Sequence, residues 1–371
     1  MRRTDDVNGA MQPFGPPALR ARMRVTTEDF FVEELPSFEA SGAGEHLLLT
    51  IEKCGMNTAF VAAMIARWAG VPDATVSYAG MKDRHAVTRQ RFSVQLPGRE
   101  APDVALLEAT AGSTPGQSLR VLAALRHSRK LQRGALAGNR FILQLREVEG
   151  ERDAIEARLA TIRARGFPNA FGAQRFGHGG GNLDAARAMF AGRRVRREQR
   201  SILLSAARSE LFNRVLAARV ADGHWETGLD GEVWMLDGSH SVFGPEPFEE
   251  SLAQRARRGD IHPTGPLWGR GDLRSQAACR ELEVATLADS ADLREGLEQA
   301  GLRQERRALR VPCPSLRWQW SADASVRLEF ELPPGSYATA LLAALGDVDD
   351  AAEPRPIPAA AGLRAAADGV D

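Results

Sequence analysis

Lysine is nearly absent from this 371-residue chain. Only Lys53, Lys82 and Lys130 stand among 48 basic side chains, the rest being arginine. Cysteine is scarce too: Cys54, Cys279 and Cys313 are far apart and odd in number, which excludes a disulfide framework and predicts thiols in a reducing compartment, the cytoplasm. No apolar run approaches the ~18 residues of a membrane span; the stretch from Phe60 to Val71 is broken by Arg67. The start, Met1-Arg2-Arg3-Thr4-Asp5-Asp6, has no apolar segment behind it and does not read as a signal peptide. There is no phosphate loop, since Gly177-His178-Gly179-Gly180-Gly181 lacks the lysine and the preceding strand. A C-x-x-C or H-x-x-x-H pair is missing, so a metal site would need scattered ligands. Gly80-Met81-Lys82-Asp83 is not a hydrolase elbow. ATP, zinc and serine chemistry all lack support.

What is present is ordinary in bulk and uneven in detail. With 43% hydrophobic and 26% charged residues the chain can build two domains of normal size. Its net charge is zero, but the charges are segregated. Residues 118–146 carry seven cations (Arg120, Arg126, Arg129, Lys130, Arg133, Arg140, Arg146) and no acid. Residues 187–214 carry eight arginines against Glu198 and Glu210. The last 25 residues hold six acids against Arg355 and Arg364. A neutral protein arranged this way can offer a basic face to a polyanion, and arginine suits phosphate and base stacking, so nucleic acid is the leading partner class. The bland alternative is arginine coating solvated faces through coding bias.

Along the chain, residues 1–22 read as a flexible leader and 347–371 as a disordered acidic, Pro/Ala-rich tail. Leu47–Glu52 reads as a strand, and Asn57-Thr58 caps a helix that stops at Gly70. Thr75–Tyr78 and Gln90–Leu96 read as strands, which makes residues 79–86 a polar loop between them. Strands follow at Leu119–Leu125 and at Phe141–Leu145, where Phe141, Leu143 and Leu145 share a face. Helices are expected at 152–165, 183–191 and 201–220, then mixed short elements to residue 312. Trp318 and Trp320 alternate as core strand residues do, Val326–Leu332 is a strand, and Pro333-Pro334-Gly335-Ser336 leads into a last helix. Strand-rich ends around a helix-rich middle suggest one mixed domain interrupted by another.

The densest polar segment is Lys82-Asp83-Arg84-His85. A carboxylate is ionised at neutral pH without a base, and flanking cations draw a polyanion toward it, so Asp83 can serve as a nucleophile. An aspartate in a loop serves equally well to close an Asx-turn.

The segment Ala79-Gly80-Met81-Lys82-Asp83-Arg84-His85-Ala86-Val87-Thr88 resembles the active-site segment of the TruD family of tRNA pseudouridine synthases. Residues 27–34, 44–46 and 53–58 precede it in the family's order, and 130–141, 168–177, 205–213 and 332–339 follow, so the resemblance covers roughly residues 23–346. It implies an isomerase that converts uridine 13 in the tRNA D-arm to pseudouridine. It also implies a mixed α/β (α+β) fold, V-shaped overall. A pseudouridine-synthase core with a mixed, largely antiparallel sheet would come from residues 23–165 and 313–346, and an inserted α/β domain from 166–312.

Carried over position by position, the resemblance makes Asp83 the nucleophile and puts Phe30, Asn139 and Phe330 on the substrate uridine. Phe141 falls where related synthases place a tyrosine, and Lys82 is the motif's cation. Arg24, near Phe30, is a candidate partner for Asp83 or for a phosphate, with a solvated arginine the plain alternative. With phenylalanine at 141 no obvious base takes the proton from uracil C5, Asp83 itself and a water being the two candidates. An isomerisation needs no redox, metal or nucleotide cofactor. The expected partner is tRNA, with no membrane and no small-molecule cofactor, and the expected form is a monomer.

Overall fold

The structure, a computed structural model, describes residues 11–111 and 115–352. The expected leader's residues 1–10 and the expected tail from residue 353 onward lie outside the described residues. The first segment forms β1 (Arg20–Met23), β2 (Phe30–Pro36), β3 (His46–Cys54), helix α1 (Thr58–Ala69), β4 (Val76–Tyr78), β5 (Val87–Gln95), α2 (Val104–Ala111), β6 (Ser118–His127) and β7 (Leu136–Glu149). Then come α3 (Arg152–Arg165), β8 (Phe167–Pro168), α4 (Gly181–Phe190), α5 (Arg197–Ala221), β9 (Glu232–Leu236), β10 (Val242–Glu246), α6 (Glu250–Arg258), β11 (Ile261–Leu267), α7 (Ala277–Thr286), α8 (Ala291–Gln299) and β12 (Glu305–Ala308). The chain closes with β13 (Arg310–Val311), β14 (Arg317–Ser321), β15 (Ser325–Leu332), α9 (Ala338–Leu345) and β16 (Asp347–Asp350).

The two chain ends share one ten-stranded sheet whose main path runs β14-β15-β7-β2-β5-β3-β6, with β1, β16 and β4 alongside. Its pairs are antiparallel except β2–β5 and β1–β16. Strand β7 is its spine because Phe141, Leu143 and Leu145 alternate inward, as their spacing predicts. Helix α1 begins where the Asn57 side chain accepts a bond from Phe60 N and stops at Gly70, whose φ of 60° suits glycine. A second sheet, β10-β9-β11-β12, comes from the middle of the chain and packs on α5 and α6. The short pair β8–β13 joins the stretch where the chain leaves the first sheet to the stretch where it returns. One hydrophobic core runs through both, from Phe30, Phe141 and Phe330 to Phe212, Trp225 and Leu309.

Two expectations at the ends need correction. Residues 11–22 are not loose, since Met11 and Leu19 are buried and β1 starts at Arg20. Nor is residue 347 the start of a loose tail: β16 pairs in parallel with β1, setting Asp347 against Arg20 and Asp349 against Arg22. An acidic strand whose basic partner lies at the other end of the chain shows no local pattern. Trp318 and Trp320 are half-buried at the core's rim, under Arg163 and Arg152 respectively. All three cysteines are unpaired thiols. No helix among the described residues is long and apolar enough to cross a membrane.

Candidate active site

Residues 79–86 form the loop expected between β4 and β5, and the chain fixes its backbone from below. Ala79 O accepts from Gly134 N (2.8 Å), Gly80 O from Gln90 Nε2 (3.2 Å), and Lys82 N donates to Thr58 Oγ1 (2.8 Å). Lys53 Nζ donates to Asp83 O (3.0 Å) and to Met56 O (2.6 Å). The Lys53 side chain is fully enclosed, and burial pulls its ammonium down to about 8 against the opposing attraction of Asp83. A loop held by this many side chains keeps Asp83 in one place.

The Asp83 side chain is 30% exposed, neither on open surface nor sealed in the core. Its Oδ1 accepts from His85 N at 2.9 Å, so the Asx-turn is real and coexists with the exposed carboxylate. Its Oδ2 accepts from Arg24 Nη1. Arg24 comes from the end of β1, is buried, and adopts a φ of 56°, a left-handed conformation costing a side chain about 1 kcal/mol. The rest of its guanidinium is held by Asp350 of β16, through Nε to Oδ1 (3.0 Å) and Nη2 to Oδ2. Its charged plane also lies 5.1 Å from the Phe30 ring centre. His85 Nε2 is engaged by Arg84 Nε at 2.8 Å.

Lys82 points away from Asp83. Its Nζ donates to Asn139 Oδ1 at 2.7 Å and lies 3.4 Å from Glu34 Oε2. Burial pushes the Glu34 carboxyl up and the Lys82 ammonium down, each opposed by the other's charge. The 3.4 Å separation is that of an ion pair, and Glu34 Oε2 makes no hydrogen bond among the described residues. Because an ammonium only donates, the Asn139 amide is oriented with its oxygen on Lys82 and its Nδ2 donors left over. Asn139 stands beside Gly138, where a Cβ would come within 2.5 Å of Leu332 O, so glycine alone lets β7 and β15 close up here.

The three phenylalanines share the sheet face but differ in access. Phe30 meets Phe141 edge-on at 6.3 Å, and each is 8% exposed. Phe330 is 0% exposed and stacks on Phe141 at 5.3 Å. There it braces Phe141 from inside the core.

The structure thus links every expected site residue in one run of contacts: Asn139 to Lys82, then Asp83 to Arg24, Arg24 to Phe30, Phe30 to Phe141, Phe141 to Phe330. Sequence reading overlooks Lys53, Glu34, Thr58, Gln90 and Asp350. One available signal points to the first: in a chain this poor in lysine, two of the three lysines lie in or under this loop, where a compact cation able to lose charge differs from arginine. The basic clusters are partly spent internally, as Arg140 pairs with Glu329, Arg146 with Asp29 and Arg187 with Asp292. Arg193, Arg194, Arg196, Arg197 and Arg200 are exposed and form no ion pair among the described residues. A cleft of about 930 Å³ is lined by both signs of charge, Arg274, Arg307 and Arg310 with Asp237, Asp272 and Glu305, and by Ala137 and Pro334 of the first unit.

Comparison with known proteins agrees with this geometry. The sequence profile of tRNA pseudouridine synthase D (TruD) matches residues 15–184 and 182–345. The tRNA pseudouridine synthase D of Xanthomonas axonopodis pv. citri is 58% identical over 354 residues, covering 91% of this chain and 94% of its own. That of Methylococcus capsulatus is 50% identical over 332 residues, covering 89% and 92%. A solved TruD structure from Methanosarcina mazei superposes with a TM-score of 0.70 at 19% identity, covering 93% of this chain and 98% of that one, and so shares the fold. On these matches the chain belongs to the tRNA pseudouridine synthase D (TruD) family.

Proposed function

We propose that Asp83 is the nucleophile with which this chain, a tRNA pseudouridine synthase by family, isomerises uridine 13 of the tRNA D-arm. The observation that carries the proposal is a partly exposed carboxylate whose two oxygens each accept one protein donor, which leaves each with a spare lone pair. Domain roles follow: residues 23–165 with 313–346, extended by the whole of β1 and by β16, hold the chemistry, and 166–312 form an inserted unit that grips tRNA. The unpaired arginines at 193–200 support that grip, because phosphate contacts supply most of the affinity for nucleic acid. Three free thiols support work in the cytoplasm.

A stacked uridine must first leave its stem, at a cost of a few kcal/mol. Phe30 and Phe141 offer only ring margins, so stacking returns about 1 kcal/mol, the low end for a base on an aromatic ring. The remaining cost falls on the phosphate contacts. Asn139 orients uracil by donating from Nδ2 to a ring carbonyl, with Lys82 holding its amide. The Asp83 carboxylate adds to C1′ as the N1–C1′ bond breaks, or assists that cleavage; the freed uracil turns, C5 bonds to C1′ and any C1′–carboxylate bond is released. The C5 proton passes to Asp83 or to a water and N1 gains one, so atoms balance and no electrons are gained or lost.

The test is incubation with unmodified tRNA carrying C5-tritiated uridine, followed by mapping of the modified position. Tritium release with the base retained at position 13 is expected. Free uracil would make the protein a nucleosidase, and neither product would make it a silent RNA binder.

A further inference from the structure

We infer that Asp350, in the C-terminal strand β16 and beyond the residues matched by the family profile, is a positioning residue for the nucleophile. The inference rests on the reading of Asp83 given above. Among the described residues Arg24 links the two carboxylates, and it divides its donors unequally. The fork formed by Nε and Nη2 goes to Asp350, and Nη1 alone goes to Asp83. Asp350 is itself immobilised: its side chain is 12% exposed, its Oδ1 also accepts from Ala352 N (3.1 Å), and the next residue, Ala351, donates its N–H to Met23 O (3.0 Å).

A guanidinium prefers to hold a carboxylate by two parallel bonds. Were Asp350 uncharged, the fork of Arg24 would be free to turn onto Asp83 and engage both of its oxygens. The carboxylate would then be clamped in the ground state, with its charge matched by a full cation and its spare lone pairs turned in. Asp350 prevents this in two ways. It occupies the fork, and it cancels most of the arginine's charge, so Asp83 keeps a single short contact that orients it and remains free to attack. The left-handed backbone of Arg24 fits this account, since strain of that kind persists where surrounding contacts over-determine a geometry. The parallel ladder that brings β16 beside β1 therefore does more than close the sheet: it delivers the second carboxylate.

The experiment is steady-state kinetics of Asp350→Asn on unmodified tRNA, with thermal unfolding of the same variant and the double variant Arg24→Gln/Asp350→Asn. We expect kcat to fall about tenfold or more with KM within threefold of wild type. On the Arg24→Gln background the second substitution should cost nothing further, because its effect passes through that arginine. A kcat within twofold of wild type overturns the inference. So does a fall in melting temperature with unchanged kcat for the folded protein, or a loss that simply multiplies that of Arg24→Gln, since either marks Asp350 as structural. Asp83→Asn, run alongside, separates the two readings: if it is active, the nucleophile is misassigned, and if it is inert while Asp350→Asn is normal, only the positioning role fails.

Discussion

The inserted unit and the Asp83 loop both bury arginine and glutamate beside a further titratable group, yet only the first set is complete. In the insert, Arg219 pairs with Glu232 at 2.6 Å and also donates to His224 O, while Glu232 accepts from Leu229 N and Thr264 N. Beside it Arg306 forks onto Glu283, which also takes the Ser275 hydroxyl, and Cys279 Sγ lies 3.7 Å from both glutamates. Burial and those two carboxylates push the Cys279 thiol up and leave it inert. Under the Asp83 loop, by contrast, Glu34 Oε2 lacks a hydrogen bond, the Asn139 amide keeps spare donors, Lys53 is driven down to about 8 and Arg24 is strained. Similar ingredients thus make a closed clamp around Cys279 and an open set under the Asp83 loop. The two differ in which of their groups are left without protein partners, and an open set is what the proposed chemistry at Asp83 needs.

Breaking the closed set should cost stability and spare chemistry. Glu232→Ala leaves Arg219 charged and unpaired in the core, and we expect a loss of about 3–5 kcal/mol in denaturant unfolding, with kcat of the folded protein unchanged. A stability change under 1 kcal/mol would mean that the pair is solvated.

The open set should reveal itself through pH. Lys53 has an ordinary value of 10.5 unfolded and about 8 folded, so between those limits the unfolded chain binds more protons. Stability from this group therefore climbs as pH rises from 8 to 10.5, by up to about 3 kcal/mol. Unfolding of wild type and Lys53→Met at both ends of that window should show the climb in the first and its absence in the second. Parallel curves would place a solvated ammonium at residue 53. A smaller effect is expected of Asn139→Ala: kcat/KM falls by roughly ten- to a hundredfold, the worth of one to two hydrogen bonds to a base, without loss of melting temperature. Wild-type turnover in that variant would remove Asn139 from uracil recognition.

How far the sequence shows all this depends on whether a feature is local. The Asn57 cap, the Gly70 stop, the inward alternation of Phe141, Leu143 and Leu145, and the loop at 79–86 rest on neighbours a few residues apart and are legible. Strands β1 and β16 are not, because each is a short charged run that becomes a strand only against its distant partner. The same holds in the site. Asp83 and Lys82 stand out by composition and by resemblance, and Arg24 only by lying near Phe30, whereas Asp350 reads as one acid among many in an acidic end until the fold sets it on Arg24. Phe330 shows the same limit: its position on β15 is read correctly, but its enclosure depends on the partner strand that stacks Phe141 on it.

Release of tritium from C5-labelled tRNA by Asp83→Asn, measured in a single turnover beside binding of the same tRNA, bears most directly on the role of the open carboxylate. The account predicts release reduced by at least about a thousandfold, more than 4 kcal/mol of barrier, with tRNA affinity within about tenfold of wild type. Release at the wild-type rate from that variant would contradict it.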